Sequence, residues 1–392
     1  MATIIDGKKR IPFMRGMLVH YLIERGFPHE EARAIANATR EALDSQKSIR
    51  RKEMVRLITG LIGSRGAGAD AGSLVFWERL PAGITVERAS GARPFSRELL
   101  SHSVQAAGLP TNRAYQVAAQ IESQLISRRA RRVSHEELEQ LVAARLREQH
   151  GESYAECYRV WRVRSALNRP LIILIGGATG VGKTSLAIAL ANLLDIPRVV
   201  ATDDIRQVMR LMLSPELVPT LHPSSYSAGE VVGGFAANGD DPVVIGYREQ
   251  ARIVNVGVRA IIDRCVEENT SVIIDGVHLL PDLLNREAWR RTAFIIAICL
   301  SLSDRQAYEA RFAARSAQAP RRPVHQYLAH LDQILKIQEH VVESSTAHDI
   351  PVLETSSVDD LVSAAAMVVA ERLQDHPDVQ RAMSPGRRRK GR

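Results

Sequence analysis

From Pro170 to about Leu373, short apolar runs alternate with longer amphipathic stretches. The runs Leu171–Ile175, Val199–Ala201, Val272–Ile274, Phe294–Leu300 and Pro351–Leu353 are rich in β-branched residues and short, so each is predicted to be a strand. Strands that alternate with helices imply right-handed βαβ crossovers, and therefore a parallel sheet with helices on both faces. The fold class expected is α/β. Ligands of such a sheet gather at the carboxyl ends of its strands.

The N-terminal part carries a different pattern, mostly helical and repeated. Pro12-Phe13-x-Arg15 returns as Pro94-Phe95-x-Arg97, Leu18 as Leu100, Gly26-x-Pro28 as Gly108-x-Pro110 and Ala32 as Ala114, all at an offset of 82 residues. Glu53-Met54 then aligns with Glu137-Leu138 after a small insertion. Such self-similarity signals two tandem copies of one small unit. Each has a short extended start, a helix, a Gly-x-Pro break and two further helices; in the second copy Ala114, Val117, Ala118, Ile121 and Leu125 recur at helical spacing. The expected division is residues 1–63 for the first unit, 64–73 for a flexible linker, 74–150 for the second unit, 151–169 for a connector, 170–375 for the α/β domain and 376–392 for a basic disordered tail.

Composition narrows the class of protein. The 392 residues carry 52 Lys and Arg against 44 Asp and Glu, a formal charge of +8; five of the positive residues lie in 387–392, so the folded body is nearer +3, eight less five. That balance suits an anionic small substrate and does not call for nucleic acid, and no helix-turn-helix or zinc module is recognisable. Cys157, Cys265 and Cys299 are widely spaced and odd in number, which excludes a disulfide framework and a C-x-x-C metal site and fits a reducing cytoplasm. The longest uncharged apolar run, Ala293–Leu300, is far short of a bilayer span and no secretory core opens the chain, so a soluble protein with no membrane partner is expected. A homo-oligomer stays open.

Chemistry enters at the strand ends. After Leu171–Ile175 comes Gly177-Ala178-Thr179-Gly180-Val181-Gly182-Lys183-Thr184, followed by Ser185 and a helical run. The spacing G-x-x-x-x-G-K-T turns backbone N–H groups around a nucleotide phosphate, adds the charge of Lys183 and offers the hydroxyl of Thr184 to Mg²⁺, so residues 177–185 are the expected ATP site. After the second strand, Asp203 is placed to take or hold a substrate hydroxyl proton, with Asp204 or Thr202 left to cap a helix expected from Ile205. Arg206, one turn on, is a candidate clamp for an anionic acceptor. The third strand closes on Asp275, a second Mg²⁺ ligand beside Thr184, and His278 follows as a candidate substrate contact or a loop histidine. Between these strands His222, Ser225, Arg248 and Arg252 lie in the expected acceptor-binding insertion; a solvated basic stripe would look the same, but that position favours phosphate recognition. Arg311 and Arg315, four residues apart, fit a mobile lid that brings positive charge onto the transferring phosphoryl.

Two family resemblances follow. The N-terminal copies resemble the ATP-cone, a regulatory nucleotide-binding module, through Ile84–Arg88, Phe95, Leu99 and Gly108 in the second copy and Ile4-Ile5, Lys8-Lys9-Arg10, Phe13, Met17 and Gly26 in the first. Neither copy has the Lys-Arg pair directly after its opening strand, so a retained fold without nucleotide binding stays open. The stretch from Pro170 to about Leu373 resembles the archaeal-type 2-phosphoglycerate kinase family, on the blocks 176–184, 202–210, 221–226, 256–262, 275–281 and 310–315. It departs from that pattern in its doubled cone, its basic tail and Asp275 where relatives often carry Glu. The resemblance implies a P-loop kinase-like α/β domain, ATP and Mg²⁺ as cofactors, and a small phosphorylated hydroxy-acid, 2-phosphoglycerate, as the group converted to 2,3-bisphosphoglycerate. A P-loop kinase for another small hydroxyl acceptor and a nucleotide-sensing regulator without transfer activity are the alternatives.

Overall fold

The computed structural model describes residues 3–6, 9–13, 15, 18–19, 22, 29–43, 48–63, 84–88, 91–232, 241–302, 304–318, 324–355 and 357–383. The expected linker 64–73 lies outside them. The chain divides into two compact units, Met1–Ser101 with Tyr115–Arg145, and His102–Ala114 with Leu146–Arg392.

The repeat read from the sequence is a repeat of structure. In the first copy β1 (Thr3–Asp6) pairs antiparallel with β2 (Lys9–Pro12), and after helix α1 (His29–Leu43) it pairs parallel with β3 (Ser48–Arg50), which leads into α2 (Arg51–Gly63). The second copy follows the same plan: β4 (Thr85–Arg88), β5 (Gly91–Pro94), α3 (Arg97–Gln105), α4 (Thr111–Ser127), β6 (Arg132–Ser134) and α5 (His135–His150), with β4 again between its two partners. Ile4, Phe13, Ile35, Ile49, Met54 and Ile58 form one buried cluster in the first copy, so the periodic apolar positions face a shared core. Two strands per copy were not anticipated. They are only three or four residues long, and β5, Gly-Ala-Arg-Pro, is exposed throughout, so it carries no apolar alternation.

In the second unit α6 (Glu152–Ala166) precedes β7 (Leu171–Gly177), α7 (Lys183–Leu193), β8 (Val199–Ala201), α8 (Thr202–Met212), α9 (Pro242–Glu267), β9 (Val272–Asp275) and β10 (Phe294–Ser301). Then come α10 (Arg305–Gln318), α11 (Val324–Ala329), α12 (Leu331–Ala347), β11 (Val352–Glu354), α13 (Val358–Gln374) and α14 (Pro377–Met383). The strands form one wholly parallel sheet in the order β11-β10-β7-β9-β8, and all five coincide with the predicted apolar runs.

β7 sits at the centre, buried along its whole length, which explains its unbroken apolar run. Ile172 and Leu174 pack with Val254, Val258 and Ile262 of α9, while strand alternation turns Ile173 and Ile175 to the opposite face. Each such side chain, fully buried, contributes about 1.5–3 kcal/mol. α9 starts where Asp241 accepts from the Val243 N–H at 2.9 Å and Pro242 takes the first turn, where no N–H partner is needed. Register then places Ile175, Asp275 and Ala201 side by side at the carboxyl edge, so the loops that follow three strands converge there.

The structure corrects the predicted start of the tail at 376. Pro377–Met383 is a helix that packs on α6, with Val379 fully buried and Asp378 paired with Arg169. One buried valine and one ion pair anchor a segment whose charges read as solvated. Residues 384–392 lie outside the described part of the chain.

Candidate active site

β7 runs into the glycine loop, and the loop into α7, as the spacing requires. Gly177, Gly180 and Gly182 have φ of +139°, +96° and +97°, a region L side chains rarely adopt. Close approach adds a second demand at Gly180, where a Cβ would lie 2.7 Å from the Phe312 ring. Ala178 and Val181 are buried and hold the loop down, Thr179 is half-buried, and Thr184 and Ser185 stand exposed at the start of α7. Lys183 Nζ donates to the Ala178 carbonyl at 2.7 Å, which lays its charge across the loop. A helix N-terminus and that ammonium together favour an anion.

Asp275, at the end of β9, is 2% exposed. The Thr184 hydroxyl donates to its Oδ2 at 2.7 Å, while its Oδ1 is buried and has no hydrogen-bond partner. Burial raises the carboxyl pKa, the Thr184 hydrogen bond and Lys183 oppose that, and the nearby charges of Asp203 and Asp204 reinforce it. A buried carboxylate oxygen facing nothing, beside a threonine hydroxyl, is the donor set of a hard divalent cation.

β8 hands directly to α8. The helix begins at Thr202, three residues before the expected start, and its N-cap is Ala201 with no side-chain cap, so neither Thr202 nor Asp204 caps it. Thr202 is needed elsewhere: it is fully buried, packs against Gly276, where a Cβ would fall 1.7 Å from its Oγ1, and hydrogen-bonds His278 Nδ1 at 2.8 Å. Asp203 and Asp204 then occupy the first turn, where the helix dipole favours negative charge. Asp203 is 69% exposed and stands 3.6 Å from Arg206 Nε.

The remaining acceptor candidates separate. Arg206 is not aimed at open solvent: its Nη1 donates to the Leu221 carbonyl at 3.2 Å and the Pro223 carbonyl at 2.9 Å, pinning the loop that carries them. His222 bonds the Leu213 carbonyl through Nε2 at 2.9 Å, and Ser225 is buried in the same loop. His278 is fully buried with both ring nitrogens engaged by protein groups, so the structure puts it in the interior rather than at the mouth. Arg248 donates to Asp282 and meets His340, and Arg252 pairs with Glu249. Both arginines line a cavity of about 1170 Å³, with Leu217, Val244, Ile245 and Leu283, that includes none of Lys183, Asp203, Arg206 or Asp275. The structure therefore does not bring Arg248 and Arg252 to the carboxylates; helical periodicity alone could not tell which face of α9 they occupy.

Arg311 reaches the glycine loop, its Nη1 donating to the Val181 carbonyl at 3.0 Å. Arg315 lies on the same helix, α10. Sequence reasoning missed three neighbours. Phe312 stacks on Tyr327 at 5.0 Å with the planes 8° apart, Tyr308 lies beside Phe312 at 5.8 Å, and Gln250 joins His278 to loop 219–223. The aromatic spacing 308/312 was visible as one helix turn, but nothing in it pointed to a glycine loop over a hundred residues earlier.

A parallel sheet of this order, a glycine loop opening a helix, and a strand-end carboxylate bonded to the loop's threonine define a P-loop phosphotransferase. Comparison with known proteins takes the class further. A family model described as "ATP cone domain" matches residues 86–166, which includes α6, the expected connector. The chain is 34% identical over 281 residues to the 2-phosphoglycerate kinase of Methanopyrus kandleri (71% of this chain, 85% of that one). It is 36% identical over 270 residues to that of Pyrococcus horikoshii (69% and 87%), and 35% identical over 302 residues to that of Methanococcus vannielii (76% and 96%). Among solved structures, shikimate kinase from Acinetobacter baumannii in complex with shikimate gives a TM-score of 0.31 at 16% identity, covering 52% of this chain and 94% of that one. The chain belongs to the 2-phosphoglycerate kinase family and is an ATP-dependent kinase. No helix among the described residues is long and apolar enough to cross a membrane.

Proposed function

We propose that the chain transfers the terminal phosphoryl group of ATP to the free hydroxyl of 2-phosphoglycerate, giving 2,3-bisphosphoglycerate, with the N-terminal cones regulating the reaction by binding nucleotide. The observation that carries the acceptor is the 34–36% identity to proteins of that name over 85–96% of their length. The geometry supports the chemistry. Thr184 and the unpartnered Oδ1 of Asp275 would hold Mg²⁺, which offsets phosphate charge and orients the γ-phosphoryl for in-line attack.

The protein's own groups do the rest. Backbone N–H groups of residues 177–185 and Lys183 bind and orient the phosphates. Asp203, exposed beside the carboxyl edge of the sheet, accepts the proton of the attacking hydroxyl as its oxygen bonds to the γ-phosphorus and the bond to the β-bridging oxygen breaks. Arg311, already on the glycine loop, faces the developing negative charge, and Arg315 joins it when α10 closes. Arg206 and His222 hold the loop on which the acceptor rests, and Ser225 lies buried in it.

The test is acceptor screening with radiolabelled ATP and Mg²⁺ on the full chain, against 2-phosphoglycerate, 3-phosphoglycerate, glycerate, a nucleoside and shikimate. Labelled 2,3-bisphosphoglycerate formed preferentially from 2-phosphoglycerate is the expected result. Equal or better transfer to another acceptor removes the substrate assignment while leaving the kinase in place.

A further inference from the structure

The interior histidine beside the carboxylates has a protonation pattern that its neighbours dictate. Gln250 Nε2 donates to the Thr220 carbonyl at 2.6 Å and to the Pro223 carbonyl at 3.0 Å, two groups that can only accept. The amide is thereby oriented, and its Oε1 faces His278 Nε2 at 3.0 Å. An amide oxygen cannot donate, so Nε2 must carry the hydrogen. The opposite nitrogen of the neutral ring, Nδ1, then holds a lone pair and accepts from the Thr202 hydroxyl at 2.8 Å. In the other tautomer two lone pairs would confront each other at Gln250, inside a fully buried site.

The chain of bonds closes on itself. It runs from Thr202, the first residue of α8, through His278 and Gln250 to the Pro223 carbonyl, and the same carbonyl accepts from Arg206, whose Nε faces Asp203. Both ends of the ring thus lie on α8, at Thr202 and at Arg206, on either side of Asp203. Asn255 ties down the backbone by donating to the His278 carbonyl at 2.8 Å. Burial keeps the imidazole neutral, with a pKa pushed down to about 4; Arg206 and Lys183 add to that and Asp203 opposes it.

We propose that His278 is a positioning residue for phosphoryl transfer, held as the Nε2–H tautomer so that it fixes the start of α8, and with it Asp203, relative to loop 219–223. This rests on the kinase reading of Asp203. Misplacing a reacting group by about 1 Å can cost on the order of a hundredfold in rate.

Two measurements test it. The first is ¹⁵N NMR of the full chain labelled at histidine, with the His278 signals assigned by loss in H278Q. Nitrogen shifts of an Nε2–H imidazole are expected, and those of an Nδ1–H ring would overturn the proposal. No acceptor is involved, so this outcome stands apart from the substrate assignment. The second compares Thr202→Val, which keeps the shape but removes the hydroxyl donor, with Thr202→Ser, which keeps it. T202V is expected to lower kcat about ten- to a hundredfold with KM for ATP unchanged, and T202S to recover most of the loss. Equal kcat in the two variants, or a loss shared by kcat and the ATP KM alike, would show a purely structural contact.

Discussion

The Thr184 hydroxyl and the Asp275 carboxylate meet at 2.7 Å, joining the first turn of α7 to the end of β9 and leaving one buried oxygen of Asp275 unpartnered. Two elements 91 residues apart in sequence thereby present oxygen ligands to one point.

Removing that charge separates function from stability. Asp275→Asn is expected to lower phosphoryl transfer by on the order of 10²–10³. Because burial already disfavours the charged form, the variant should melt no lower than the parent. Steady-state rates and thermal melting on the same preparation check both halves.

Lys183→Ala removes an ammonium that rests on the glycine loop through the Ala178 carbonyl. A loss of about a thousandfold in kcat is expected, with the circular dichroism spectrum unchanged. A residual rate within tenfold of the parent would contradict the role of this charge.

Gly180→Ala meets two penalties, a φ of +96° and the Phe312 ring at 2.7 Å. It should destabilise by about 1–3 kcal/mol. Phe312→Leu in the same chain is expected to relieve the steric part and leave the backbone part, so the double variant should be more stable than the sum of the single effects, measured by urea unfolding.

His278 makes stability pH-dependent in a definite sense. Its pKa falls from 6.5 to about 4 on folding, so between those values the unfolded chain binds the extra proton. Stability is therefore fully present above about pH 6.5 and declines as pH falls toward 4, by about 3 kcal/mol from this group. His278→Gln should flatten that part of the curve.

Truncation should reveal the contribution of the segment His102–Ala114, which belongs to the same compact unit as the P-loop sheet. Ala107 and Leu109 are buried, and at Gly108 a Cβ would lie 3.1 Å from Met367 of α13. Deleting residues 1–83 should preserve the melting temperature of the kinase part, whereas deleting 1–150 should lower it by several degrees, read by scanning calorimetry.

The central sheet was legible because a strand buried on both faces writes a continuous apolar run, as β7 and β10 do. The phosphate loop was legible because the spacing of Gly177 and Gly182 before Lys183-Thr184 sits between an apolar run and a helical one. What could not be read were relationships across the sheet. Strand order brings Asp275 beside Ala201, and nothing local in 272–275 announces it. The start of α8 was misplaced because Thr202 and Asp204 are ordinary caps, and the preference yielded to a buried contact with His278. The surroundings of Arg248 and Arg252 were not legible for a similar reason: a basic stripe looks the same whether it faces an acceptor or its own acidic neighbours.

Arg206 grips loop 219–223 only through the carbonyls of Leu221 and Pro223, and Gln250 likewise uses those of Thr220 and Pro223. An anchor that reads main chain is blind to side-chain identity. Residues displayed along that loop can therefore be exchanged without loosening it, so under the proposed reading acceptor preference can be retuned while Asp203 and the nucleotide cradle keep their places.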